Sequence, residues 1–145
     1  MFEKLFLLVK NNARTAVIEN PAIPAIYHEA VINEASSSII EVLKNQMETG
    51  RIKDLIRFFQ FPGIYNNSLV SSIVKRFANK LNNFYGIELN SAMVASNSLI
   101  TPVMEELIKQ SKNEQNKDFG LSNLLSKLNG NRTDLTGLVN HIMVA

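Results

Sequence analysis

The chain has 145 residues, of which 46% are apolar and 19% charged, and its formal net charge is +2. These values fit one globular domain with a sizeable core and exclude a disordered polyelectrolyte. The sequence contains no cysteine, which excludes disulfides, thiolate metal sites and a cysteine nucleophile. The small net charge gives no polyanion-binding footprint: residues 1–67 carry seven basic and seven acidic side chains, and residues 68–145 carry eight and six.

The amino-terminal apolar run, Leu5 to Val9, is too short for a signal-peptide core, and Glu3 precedes it where positive charge is expected. No run approaches the ~20 apolar residues of a membrane span. The expectation is a soluble, cytoplasmic protein with no membrane partner. Phe2, Leu5, Phe6, Val9, Ala13, Ala16 and Val17 recur at helical spacing and predict a first helix over residues 2–18. Asn20-Pro21 ends it, because the residue before a proline is pushed out of the α region. Pro21-Ala22-Ile23-Pro24 then reads as a stiff connector.

A second helix begins between Ala25 and Glu29 and ends at Thr49, with Gly50 as its C-cap. Ile32, Ala35, Ile39, Val42, Leu43 and Met47 form its apolar face, and Ser36-Ser37-Ser38 allows close helix approach. A short third helix turns Ile52, Leu55, Ile56 and Phe59 inward. Pro62-Gly63 is expected to end it, with a loop and N-cap at Asn66-Asn67-Ser68.

The clearest stripe follows: Val70, Ile73, Val74, Phe77, Ala78, Leu81, Phe84 and Tyr85 mark one face of a helix over residues 68–85. Gly86 is predicted to cap it at positive φ. Asn90 is predicted to cap the next segment, residues 91–112, which Thr101-Pro102 could divide into two helices. Residues 111–118 form a polar loop, expected to be the most flexible point. Leu121 to Leu128 and Leu135 to Ile142 are weakly repeated two-turn amphipathic segments. No alternating, β-branched run occurs, so the fold class is all-α: one compact bundle of about six or seven helices.

Several of these residues carry a resemblance. They are the short apolar helix after Gly50, the long helix ending at Phe84-Tyr85-Gly86, and the small-residue helix with Ala92, Ala95 and Ser96. Pro102 ahead of Val103-Met104-Glu105-Glu106-Leu107, then Phe119-Gly120-Leu121 with Leu124-Leu125, complete the set. In these features the stretch 50–130 resembles the bacterial YidB-like family, a domain of unknown function. The resemblance implies an all-helical core over residues 50–145, a homeodomain-like arrangement within 50–128, and no known activity. Residues 1–49, with Asn20-Pro21-Ala22-Ile23-Pro24 and Glu34-Ala35-Ser36-Ser37-Ser38-Ile39, look like a lineage-specific helical extension packed on that core.

Little catalytic chemistry is written in the chain. His28, Glu29 and Glu34 could ligate a metal in principle, but the spacing is not HExxH, and Glu29 to Glu34 does not share a helix face. His141 has no defined partner. There is no G-x-S-x-G elbow and no phosphate-binding glycine loop. The expectation is a protein without catalysis, metal or cofactor. Two surfaces stand out. Lys75, Arg76, Asn79, Lys80 and Asn83 lie opposite the apolar stripe, where cations could hold phosphates and asparagine could read adenine. Glu105 and Glu106 oppose that reading by repelling phosphate. Phe58, Phe59, Phe61, Ile64 and Tyr65 form the densest aromatic cluster, either a core plug or an exposed patch. The favoured reading is a protein acting through an unknown protein partner or through homo-oligomerisation. The alternative is a nucleic-acid-binding protein.

Overall fold

The computed structural model describes residues 2–60 and 62–129, and side chains over 3–60 and 68–129. Among these residues are six α-helices and no strand: α1 (Phe2–Asn11), α2 (His28–Glu48), α3 (Ile52–Gln60), α4 (Pro62–Tyr85), α5 (Leu89–Ser111) and α6 (Leu121–Leu128). A π-helical turn (Arg14–Ile18) and a 3-10 turn (Ala25–Tyr27) join α1 to α2. The chain is all-α, and no helix among the described residues is long and apolar enough to cross a membrane.

The bundle is centred on α2, α4 and α5. Glu41 of α2 meets Arg76 and Lys80 of α4, while Glu34 meets Lys80 and Tyr85 further along, so α2 and α4 run antiparallel. α5 returns antiparallel to α4, and the two approach closely enough for the buried Ser96 hydroxyl to donate to the Val74 carbonyl at 2.7 Å. Small residues permit that approach: Ala92 and Ala95 are buried beside it. Within α2, Ser36 and Ser38 are buried, and each hydroxyl bonds a carbonyl one turn back. Buried residues from Leu5 to Leu128 form one hydrophobic cluster, so residues 1–49 share a core with the rest.

The central stripe behaves as the periodicity predicts at Ile73, Val74, Phe77, Ala78 and Leu81, all buried. It fails at Phe84, which is 69% exposed. The chain reverses at Gly86, with φ +64°, and Ile87 is buried below the turn instead. The Ile87 N–H donates to the Leu81 carbonyl, and Asn82 donates to the Ile87 carbonyl, which fixes that reversal.

Three boundaries differ from expectation, and a fourth, left open between one helix and two, is decided. The first helix is interrupted after Asn11: the Asn12 side chain donates to the Leu8 carbonyl, and the backbone resumes as a π turn with Ile18 N–H on the Ala13 carbonyl. No loop separates Pro62 from Ser68, since α4 begins at Pro62. Proline costs nothing at a first helical position, and the low helix propensity of asparagine and serine is overridden. The N-cap of α5 is Glu88 rather than Asn90, with its carboxylate accepting from the N–H groups of Asn90 and Ser91. Finally, α5 continues through Pro102 as one helix, and Thr101 bonds Asn97 rather than capping a new start.

The polar loop before α6 is held by its own side chains. Asn116 Oδ1 accepts from the N–H groups of Asp118 and Phe119, and Asn113 Oδ1 accepts from that of Gln115. All four leucines of α6 are buried. The second copy of its pattern, Leu135 to Ile142, and His141 lie outside the described residues.

Candidate functional site

The basic face does not stand free. Spacing of seven on α2 puts Glu34 and Glu41 on one side; spacing of four on α4 puts Arg76 and Lys80 opposite them. Lys80 Nζ lies 2.8 Å from Glu41 Oε1 and 3.4 Å from Glu34 Oε2, and Arg76 Nε donates to Glu41 Oε2. The Lys80 side chain is only 15% exposed. Burial pushes the Glu41 carboxyl pKa up, but hydrogen bonds and charge from Lys80 and Arg76 outweigh that and leave it below the usual value. Of the five proposed residues, Lys75, Arg76, Asn79 and Asn83 are exposed and Lys80 is largely covered, and both Arg76 and Lys80 are paired with carboxylates of α2. Their position on α4 was legible; their carboxylate partners, more than thirty residues away in α2, were not.

The aromatic cluster also resolves inward where it is described. Phe58 and Phe59 are buried, edge to face, with ring centroids 5.2 Å apart. They plug the core and form no exposed patch. Phe61 lies outside the described residues, as do the side chains of Ile64 and Tyr65. The histidine cluster does not converge: His28 Nε2 sits 3.0 Å from the Ile23 carbonyl, while Glu34 faces Lys80 and Tyr85. Glu105 is exposed, and Glu106 accepts from the Gln110 amide.

Exposed apolar surface gathers elsewhere. Seven large hydrophobic side chains are exposed among the described residues, and five of them, Ile26, Tyr27, Phe84, Leu89 and Val94, lie at one end of the bundle. Three elements build that end. The proline connector delivers the 3-10 turn, with Ile26 84% exposed. The last turn of α4 contributes Phe84, and the first turns of α5 contribute Leu89 and Val94. Tyr27 and Tyr85 lock the first two together, edge to face at 5.4 Å between centroids. The Tyr85 hydroxyl lies 3.5 Å from Glu34 Oε1, and burial together with that carboxylate raises the phenol pKa, so it stays protonated.

Val94 links two depressions. One is a shallow cleft of about 260 Å³ shared with Asn20, Ala22, Asn90 and Ser91. The other is a groove of about 530 Å³ between α4 and α5, lined by Val70, Val74, Met93, Asn97 and Thr101. Val94 therefore connects the start of α5 with the groove along the helix pair. Sequence reading missed this surface because Phe84 and Tyr85 sit in register with a buried stripe, and because nothing local marks Ile26 as outward. The proline bracket around Ala22-Ile23 was the one available signal.

No family model, curated protein or solved structure matches the chain.

Proposed function

We propose that this protein acts without catalysis, through protein–protein contacts made by the apolar end of its helical bundle. The observation that carries this reading is the gathering of Ile26, Tyr27, Phe84, Leu89 and Val94 on elements far apart in sequence. Single exposed hydrophobics are ordinary, but a collected patch beside a groove is what a protein interface needs. The resemblance to the YidB-like family and a cytoplasmic location accord with this reading and add nothing to it. Nucleic-acid binding gains no support, because Arg76 and Lys80 are neutralised by Glu41 and Glu34.

Site-specific photo-crosslinking tests the reading. A benzophenone side chain at position 26 or 84, introduced in the cells that make the protein, is expected to give discrete protein adducts. The same group at Asn79, exposed on the far side of α4, is expected to give none. Adducts from position 79 alone, or from no position, overturn the assignment. So does salt-sensitive, Lys75-dependent retention of random DNA in fluorescence anisotropy, which returns the function to nucleic acid.

A further inference from the structure

We infer that the apolar end docks an amphipathic helix bearing lysine or arginine, belonging to a partner protein. This rests on the interaction reading above and names the partner's chemistry. The chain has no lysine or arginine between Arg14 and Lys44, and none between Lys80 and Lys109. Those two spans build the apolar end: the connector, the first half of α2, the α4–α5 turn and the first half of α5. Of the four cations at their borders, Arg14 pairs with Glu19 and Lys80 with Glu34 and Glu41, while Lys44 and Lys109 lie toward the far ends of α2 and α5. Glu29, two residues from Tyr27, and Glu88, next to Leu89, are exposed and pair with no cation among the described residues. Backbone N–H groups of Ser91 and Asn90 hold the Glu88 carboxyl below its usual pKa and therefore ionised.

Lysine and arginine occur instead toward the opposite end, Lys44, Arg51, Lys53 and Arg57 around the α2–α3 junction and Lys109 and Lys112 at the close of α5, interleaved there with Glu48, Asp54, Glu105 and Glu106. The patch thus combines apolar side chains with a negative rim, and its electrostatic complement is an apolar stripe flanked by cations. A helix suits it because Val94 connects the start of α5 with the α4–α5 groove. About three turns, roughly 16 Å, would lie along that line. A second copy is a poorer occupant. Face to face, Glu29 and Glu88 would meet their own likeness. Head to tail, the apolar side chains would meet the charged outer face of α3, Lys53, Asp54 and Arg57.

The test uses the full chain and two fluorescein-labelled synthetic helical peptides about five turns long. They share one leucine stripe and differ only in carrying lysine or glutamate on the polar face. We expect the lysine peptide to bind with Kd on the order of 10–100 μM and the glutamate peptide at least about tenfold more weakly. The double variant Ile26→Ser, Phe84→Ser is expected to lose about tenfold or more in affinity for the lysine peptide while keeping its charge and its circular dichroism. Glu29→Gln should weaken binding and flatten its salt dependence, and Glu105→Gln, remote from the patch, should do neither. Equal affinity for both peptides, indifference to the serine variant, or no binding overturns the inference. Self-association in sedimentation equilibrium that the serine variant abolishes also overturns it, by making a second copy the occupant. Patch-specific protein crosslinks alongside a failed lysine peptide reject the cationic partner and leave the interaction reading standing. Loss of both rejects the two together.

Discussion

At Gly120 a β-carbon would lie 2.6 Å from the Asn116 carbonyl oxygen and 2.9 Å from that of Asn113. Both neighbours are backbone, in a loop already pinned by the Asn113 and Asn116 side chains, so neither can yield cheaply. At Gly86 the space for a β-carbon is open, and only the positive φ of +64° penalises a side chain. Gly120→Ala is therefore expected to cost about 2–3 kcal/mol, and Gly86→Ala only about 1 kcal/mol. Urea denaturation of the two variants checks the order, and equal midpoints count against it. Glu41 makes a different residue-scale prediction. Its pKa is depressed in the folded state, so its contribution is present above the unfolded carboxylate value. That contribution is lost as pH falls through the lower folded value. The network is partly exposed, so Glu41→Gln should cost no more than about 1 kcal/mol at pH 7. The gap from wild type should close on acidification below about pH 4.3. A gap that persists at pH 2.5 would show that packing, not charge, is what the substitution removed.

Among the elements, α5 carries an uncommon burden. Pro102 sits within it and cannot donate to the Ser98 carbonyl, so the helix survives on packing: Leu99, Ile100, Val103, Met104 and Leu107 are all buried around the proline. Pro102→Ala restores the missing donor at a half-buried site. It is expected to raise stability by about 1–3 kcal/mol, read as a higher urea midpoint with unchanged m-value. A lower midpoint would mean that the ring's packing, in a depression it lines with Leu8, Asn11 and Asn12, outweighs the recovered bond. The same helix shows how far the sequence could be read. Periodicity found the buried faces of α2, α4 and α6, and the C-cap glycines 50 and 86 both adopt positive φ. Those features depend on neighbours within one or two turns. Asn90 as the N-cap was wrong by two residues because a glutamate can fold back on two N–H groups as well as an asparagine can. Phe84 was misplaced, and the partners of Arg76 and Lys80 were missed, for another reason: partners, or the lack of one, are set by where a distant helix ends. The apolar end was almost wholly hidden for the same reason.

For the molecule as a whole, two phenylalanines on one helix separate stability from recognition. Phe77 is fully buried, and Phe77→Ala is expected to cost roughly 3–5 kcal/mol. Phe84, seven residues on and nominally in the same stripe, should tolerate serine within about 0.5 kcal/mol. Thermal denaturation of the two variants measures the contrast. A large loss at Phe84 would mean that the exposed end is part of the fold and not a free surface. The reversal at Gly86 also has a kinetic meaning. The two longest helices, α4 and α5, are joined by only Gly86, Ile87 and Glu88. Closing so short a loop costs little chain entropy, while α1 must wait for contacts far along the chain. The refolding barrier should therefore be crossed with this hairpin already formed. Truncation of Leu81 will then slow refolding, while truncation of Val9 will mainly hasten unfolding.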